Sequence, residues 1–141
     1  MKPSISLFFH DIPKIPLQVT EVKQWLIRVT ELYNAPLKSL RIILCADEYL
    51  SKLNIEYLKH DTLTDIITFP YHEKGKPIEG ELYISLERVR ENAETLNLTT
   101  EQELDRVIVH GLLHLIGYED HTPEQKEAMR REEDKCLSLR P

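Results

Sequence analysis

The sequence predicts an α+β fold in a single domain that spans residues 1–141, with a mixed sheet of about four strands packed with about five helices. The length of 141 residues fits one domain with a substantial core. The composition, 41% hydrophobic and 30% charged, is ordinary for a globular protein. β-prone and amphipathic helical segments alternate along the chain, and we find no repeat, linker or low-complexity segment between them.

Four short segments have the apolar, β-branched or alternating pattern of strands. The first, Ser4–Phe9, ends before Pro13 and Pro16, which disfavour a continuing strand. Residues 72–80 have the composition of a turn or hairpin loop between the third and fourth strands. The predicted strands are Ser4–Phe9 and residues 37–46, 64–71 and 81–85.

The first two helices are predicted from one-sided apolar periodicity. Thr20 is expected to cap the first helix, and the second is expected to cover Asp47–Leu58 and to begin with its capping acid. The inward faces consist of Val22, Trp25, Leu26, Val29, Leu32 and Tyr33 in the first helix, and of Leu50, Leu53, Asn54 and Tyr57 in the second.

The last three helices are predicted from periodicity and from capping signals. The third covers Leu86–Leu96, and the fourth begins near Glu101 with a capping box, either Thr99 with Gln102 or Thr100 with Glu103. The fifth runs to about Leu137. It opens with Thr122 as the cap, Pro123 in the first turn and Gln125 as the partner in a capping box.

Charge and hydropathy exclude several classes of protein. The net charge of −6 argues against coating nucleic acid by bulk electrostatics, although a local basic patch is compatible with it. No window approaches the ~20 apolar residues of a membrane span, and the N-terminus does not resemble a signal peptide. Cys45 and Cys136 are far apart and lack metal-ligand spacing, which favours reduced thiols in the cytoplasm.

The segment "HGLLHLIGYEDH", residues 110 to 121, has the pattern of a metal site at the end of a helix. His110 and His114 are four residues apart, so both rings lie on one helical face, away from the apolar stripe. Gly117 can end the helix and reverse the chain, which brings a third ligand back, either Asp120 or His121. Three protein ligands and one open position are typical of a catalytic zinc. A catalytic metal ranks first, a structural metal second and no metal third.

Three blocks of the sequence resemble the YbeY family of bacterial rRNA-maturation endoribonucleases. "HGLLHLIGYEDH" is similar to the signature H-G-x-L-H-L-x-G-Y-D-H. "LNIEYLKHDTLTDIITFPY", residues 53–71, resembles L-N-x-x-Y-R-x-x-D-x-x-T-[DN]-V-L-S-F-P, and "GELYIS", residues 80–85, resembles G-D-I-x-I-S. The three blocks occur in family order and at family spacing.

The resemblance implies a YbeY-like metallohydrolase domain over residues 1–141 that binds one zinc ion. It implies a single-strand-specific endoribonuclease of late 16S rRNA maturation, at the 3′ end, and of ribosome quality control. Single-stranded RNA and the small ribosomal subunit are the implied partners, with no membrane and no DNA. The implied metal and catalytic residues are His110, His114, Asp120 and His121, and the family places Thr64 and Asp65 beside the metal.

Two departures from the family pattern affect the site. "GYEDH" has one residue more than "GYDH", so ungapped counting puts the third ligand at Asp120, whereas an insertion puts it at His121. We place Asp120 slightly ahead, and the residue that does not bind metal can orient a ligand or accept a proton. Leu58 occupies the position of the family arginine, whose implied role is to contact the phosphate. Lys59, His60 or a distant basic residue has to supply this contact instead.

Two alternative functions follow from the same residues. Loss of the family arginine favours a ribosome-assembly binding factor with a structural zinc and little nuclease activity. A zinc peptidase with His-x-x-x-His spacing needs a glutamate after the first histidine, but that position is Gly111. An RNA substrate needs basic residues near the site, and the candidates are Arg88, Arg90, Arg106, Lys126, Arg130, Arg131 and Lys135, each of which can also be part of a solvated helix face.

Overall fold

The β-prone segments form one four-stranded sheet in the computed structural model, which describes residues 3–58 and 64–140. Its strands are β1 (Ser4–Phe9), β2 (Leu37–Cys45), β3 (Ile66–Pro70) and β4 (Ile78–Ser85). The strand order is β1-β2-β4-β3. β1 and β4 pair with β2 in parallel, and β3 pairs with β4 in the antiparallel direction. The predicted mixed sheet is therefore confirmed.

Five helices cover the sheet, as the periodicity predicts. They are α1 (Val19–Leu32), α2 (Asp47–Leu58), α3 (Leu86–Leu96), α4 (Thr100–Ile116) and α5 (Pro123–Leu137). The central strands β2 and β4 direct apolar side chains into the main core of the protein, and Leu40, Ile42 and Leu82 are fully buried there. This burial matches the position of parallel strands with helices on both faces.

The main core lies on the face of the sheet that α1, α3, α4 and α5 cover. Trp25 of α1 is fully buried there, and its indole N–H donates to the carbonyl oxygen of Cys136 at 2.9 Å. This bond joins the first helix to the last, because Trp25 carries a buried donor that needs a partner. α4 packs on β4 and β3 of this face, and its Ile108 and Leu112 are fully buried.

A smaller core lies on the opposite face, beneath α2. It consists of the buried residues Cys45, Leu50, Leu53 and Ile67. The prediction that Tyr57 faces inward is wrong, because 61% of the residue is exposed. Its ring instead meets the ring of Phe69 edge-on, with centroids 6.1 Å apart. Among the α2 side chains that the structure describes, up to Tyr57, those that are buried belong to the first two turns.

Two predicted boundaries are wrong for identifiable reasons. β4 begins at Ile78 rather than residue 81, because Ile78 to Gly80 pair with β2 and extend the predicted loop segment into the sheet. α1 begins at Val19 with Gln18 at its N-cap and no side-chain cap, so Thr20 lies inside the first turn. β2 and β3 are also shorter than predicted, by one and three residues.

The capping predictions at α4 and α5 are confirmed. Thr99 and Gln102 form the box at α4, and Thr122 and Gln125 form the box at α5, with Pro123 as its first residue. These caps determine where α4 begins and where the chain re-enters a helix after it. The six-residue connection between the two helices, residues 117–122, is the segment that carries the candidates for the third ligand.

Both cysteines are free and buried, Cys45 in the smaller core and Cys136 in the main core. Burial raises the pKa of the Cys45 thiol to about 12, and the charge of Asp47 adds to this effect. None of the helices in the described ranges has the length and hydropathy that crossing a membrane requires.

Gly111 lets α4 lie directly against the sheet. A Cβ atom at this position would lie 2.7 Å from both Cδ1 of Ile66 and Cδ2 of Leu82. Both contacts are closer than carbon atoms tolerate, so a side chain here would force the tips of Ile66 and Leu82, or the helix itself, to move within a close-packed core. Packing therefore favours glycine at the position where a peptidase would carry its base.

Gly111→Val should therefore destabilise the fold by about 2–3 kcal/mol, because overpacking outweighs the better helix propensity of valine. Urea unfolding measures the change. Glu94→Val, at an exposed position of α3, introduces the same side chain and should cost less than about 1 kcal/mol. Equal losses in the two variants would contradict the packing argument.

Candidate metal centre

His110 and His114 lie on a face of α4 that borders a cleft rather than the core. Their side chains are 21% and 26% exposed, whereas the intervening Leu112 and Leu113 are fully buried. The spacing of four residues stacks the two rings on one helical face. Their Nε2 atoms are 3.1 Å apart, so the predicted convergence of the two imidazoles is observed.

Gly117 reverses the chain directly after α4. Its φ of +127° lies in the region that favours glycine, and its N–H donates to the carbonyl oxygens of Leu113 and His114. The N–H of Tyr118 also donates to Leu113, at 3.0 Å. The turn brings Asp120 back to the histidines, with its Oδ2 3.3 Å from Nε2 of His110 and 3.5 Å from Nε2 of His114.

The other ring nitrogen of each histidine faces an oxygen that carries no hydrogen. Nδ1 of His114 lies 2.9 Å from the carbonyl oxygen of Tyr118, and Nδ1 of His110 lies 2.6 Å from Oε2 of Glu133. Because both oxygens only accept, we assign the hydrogen of each neutral imidazole to Nδ1. The two Nε2 atoms therefore present lone pairs to each other and to the carboxylate of Asp120.

These three ligand atoms fit a small divalent cation. Lone pairs and a carboxylate oxygen at such distances repel one another unless a cation or a proton lies among them. In a tetrahedral zinc site with bonds of about 2.0–2.1 Å, neighbouring ligand atoms are about 3.3 Å apart. The separations of 3.1, 3.3 and 3.5 Å span that value. Among the described residues, His110, His114 and Asp120 form the group that could hold a metal ion, at the end of a helix as predicted.

His121 lies outside this group. Its backbone N–H donates to Oε1 of Gln125, the residue that also closes the capping box of α5. The residue is exposed, and it lines the same cleft as the three ligands. Whether His121 takes part in the chemistry stays a prediction.

The cleft at the metal centre has a volume of about 610 Å³ and is open to solvent. Thr64 and Asp65, which the family resemblance places near the metal, both line it. The hydroxyl of Thr64 donates to the carbonyl oxygen of Ile66 at 3.1 Å, and the side-chain amide of Asn92 donates to Asp65 at 3.5 Å. Lys59, His60 and Asp61 lie outside the described residues, and the side chain of Leu58 is not described either.

A buried charge network supports the first histidine from behind. Arg106 makes two hydrogen bonds to the fully buried carboxylate of Glu103, one of them from Nε at 2.8 Å, and its Nη1 lies 3.3 Å from Oε1 of Glu133. The hydrogen bond to Glu103 raises the pKa of Arg106, and the charges of both carboxylates add to it. The guanidinium is thus paired with two carboxylates and only 34% exposed, which argues against it as the RNA contact considered from the sequence.

The same network acts on the pKa of His110. Burial of the ring lowers this pKa by disfavouring the charged form. The hydrogen bond and charge of Glu133 outweigh that effect, with smaller contributions from Asp120 and Asp65, so the pKa is raised overall. The site therefore favours positive charge at this position.

Comparison with known proteins identifies the family. The family model described as Endoribonuclease YbeY matches residues 11–139. The chain belongs to the YbeY family. The Endoribonuclease YbeY of Amoebophilus asiaticus is 47% identical over 94% of this chain and 90% of its own length, and that of Cytophaga hutchinsonii is 43% identical over 99% of both chains. The solution structure of TM1509 from Thermotoga maritima is similar with a TM-score of 0.63 and 26% identity, over 95% of this chain and 89% of that one.

Two residues that support the site from outside were missed at the level of sequence. Glu133 follows His110 by 23 positions and lies in an acidic stretch of α5, so no local pattern distinguishes it. His72, in the segment predicted as a loop, donates from Nε2 to the carbonyl oxygen of Leu115 and accepts the N–H of Glu79 at Nδ1. It therefore ties the β3–β4 connection to the residue that follows His114.

Arg106→Met should lower the free energy of unfolding by about 3–5 kcal/mol, because it leaves the buried carboxylates of Glu103 and Glu133 without a counter-charge. Urea unfolding in the presence of a chelator measures the apoprotein. Arg131→Met removes the exposed partner of Glu127 and should cost less than about 1 kcal/mol. A small loss at Arg106 would show that the network does not hold α4 and α5 together.

Proposed function

We propose that this protein is a zinc-dependent, single-strand-specific endoribonuclease that acts in maturation of the 3′ end of 16S rRNA and in ribosome quality control, in the cytoplasm. The observation that supports this most strongly is the convergence of His110, His114 and Asp120 beside an open cleft, in a chain of the YbeY family. The relatives that it matches bear the name Endoribonuclease YbeY.

The proposed roles follow from the position of each side chain. His110, His114 and Asp120 hold the ion, and the bonds from Nδ1 to Glu133 and Tyr118 keep both Nε2 atoms directed at it. When bound, zinc supplies a Lewis acid for the phosphodiester and makes water acidic enough to ionise near neutral pH. His121 lines the cleft outside the ligand group, so we assign it the role of proton acceptor.

The single-stranded substrate needs positive charge along its path, because the cleft itself contains the carboxylates of Asp65 and Asp120. A second cleft of about 540 Å³ adjoins the first, and the two share Pro70 and Leu115 in their walls. Lys74 and Lys76 line it from the β3–β4 connection. Both lysines are exposed, and no carboxylate in residues 3–58 or 64–140 lies within ion-pair distance of either.

The basic residues considered from the sequence fall into two sets. Arg88 pairs with Asp47, Arg131 with Glu127 and Lys135 with Glu132, in addition to the engaged Arg106. Arg90, Lys126 and Arg130 have no ion pair within the described ranges and remain candidates for more distant RNA contacts. The two lysines of the adjoining cleft are the nearest additions that the sequence did not suggest.

Substitution of the ligands should separate binding from catalysis. His114→Ala and Asp120→Ala should each abolish zinc binding and cleavage of a single-stranded RNA, because two remaining ligands hold zinc poorly. His121→Ala should retain the metal and lose activity by about 100-fold, the contribution of a general base. Competition with a chromophoric chelator measures the metal, and a labelled oligonucleotide measures cleavage.

Duplex RNA and single-stranded DNA of the same sequence are the matched substrates, and neither should be cleaved. Zinc lost from His121→Ala but retained by Asp120→Ala would reverse the assignment of the third ligand. Cleavage that survives both chelation and His114→Ala would refute the enzyme assignment. Tight binding of small ribosomal subunits without cleavage would favour the assembly-factor alternative.

The double variant Lys74→Ala/Lys76→Ala should raise KM for single-stranded RNA several-fold and leave kcat nearly unchanged, because these lysines contact phosphates away from the reacting bond. Each lost contact should flatten the slope of log affinity against log salt by about 0.7. Lys14→Ala/Lys52→Ala changes the net charge equally at positions outside both clefts and should leave KM unaltered. An equal rise of KM in the two double variants would show that the net charge, and not the position of Lys74 and Lys76, affects RNA binding.

A further inference from the structure

We propose that Glu133 is a positioning residue of the metal centre, holding His110 in the tautomer and orientation that metal binding requires. This inference rests on the proposed metal site and adds a third element, α5, to it. Oε2 of Glu133 lies 2.6 Å from Nδ1 of His110, whose Nε2 faces Asp120 at 3.3 Å. The carboxylate therefore acts on the ligand from the side opposite the ion.

Glu133 is itself held at both oxygens. While Oε2 accepts from His110, Oε1 accepts from Nη1 of Arg106 at 3.3 Å, and only 5% of the residue is exposed. A buried carboxylate with both oxygens engaged cannot rotate without breaking a charge-assisted bond. The carboxylate of Glu133 therefore restrains the plane of the His110 ring, and Arg106 in turn restrains the carboxylate.

The ion pair between Arg106 and Glu103 leaves the negative charge of Glu133 without a full counter-charge. Arg106 binds the fully buried Glu103 through two hydrogen bonds, from Nε and Nη2. The negative charge of Glu103 therefore balances the positive charge of Arg106. A second buried carboxylate is therefore not needed to neutralise Arg106. Its burial is costly unless another positive charge lies nearby, and the only group that it contacts besides Arg106 in the described chain is His110.

The formal charges show that a bound divalent ion would balance this surplus of negative charge. The carboxylates of Glu103, Glu133 and Asp120, together with the guanidinium of Arg106, leave two negative charges around His110. A divalent cation at the three ligands balances them.

The two histidine ligands are supported unequally. Nδ1 of His114 donates to a neutral carbonyl oxygen, whereas Nδ1 of His110 donates to a carboxylate. A charged acceptor makes the opposite nitrogen a stronger donor to metal, so His110 is the better of the two ligands. Loss of the carboxylate should weaken the site more than loss of a remote charge of the same sign.

The test compares Glu133→Gln with Glu127→Gln, which removes an exposed carboxylate from the same helix. Glu133→Gln should bind Zn²⁺ about 10- to 100-fold more weakly in competition with a chromophoric chelator. The visible absorption spectrum of the Co²⁺-loaded protein should also change, because the geometry at His110 changes. Glu127→Gln should match the unmodified protein in both measurements.

A second variant keeps the test valid if Glu133→Gln does not fold. Glu133→Asp retains the charge near Arg106 but withdraws the carboxylate from His110, so it should fold, as judged by circular dichroism, and still show a weakened Zn²⁺ affinity. Unchanged affinity and an unchanged Co²⁺ spectrum in a folded Glu133 variant would overturn the inference and leave the proposed function intact. Failure of the unmodified protein itself to bind Zn²⁺ would overturn both.

Discussion

Mutual repulsion among three electron-rich atoms at the end of α4 is the constraint on which the rest of the structure depends. Two imidazole nitrogens and one carboxylate oxygen lie 3.1–3.5 Å apart. An arrangement of this kind has to be enforced by surrounding structure, because the three atoms repel one another until a cation or a proton lies among them. The turn at Gly117 enforces it from the main chain, and Glu133 with Arg106 enforces it from α5.

The sheet contributes by determining how close α4 can come. Gly111 faces Ile66 and Leu82, so the helix lies against β3 and β4 without an intervening side chain. The cleft in front of the histidines is bounded on its other side by the start of β3, where Thr64 and Asp65 lie. The close contact between helix and strand therefore brings the histidines of α4 near the start of β3, and it disfavours a side chain at position 111 that could act as a base there.

Local patterns predicted most of the fold and the candidate ligands of the site. The i, i+4 histidines, the glycine stop and the capping boxes are encoded within a few residues of one another, so His110 and His114 could be recognised without a structure. The sequence left Asp120 and His121 as alternatives for the third ligand, and the structure brings Asp120 next to the histidines. Features that depend on pairing between distant segments could not be predicted from local patterns. The start of β4 at Ile78 is determined by its partner β2, and the role of Glu133 is determined by how α5 packs on α4. The engagement of Arg106 in the interior was hidden for the same reason.

The two cysteines offer a built-in way to observe the two sides of the sheet separately. Each thiol is fully shielded in one of the two hydrophobic cores, Cys45 beneath α2 and Cys136 beside Trp25. A thiol reagent reaches either sulfur only when the core around it opens. The rate at which each cysteine is alkylated thus reports the opening of one core, and the difference between the two rates tells whether the molecule loosens as a whole or one face at a time.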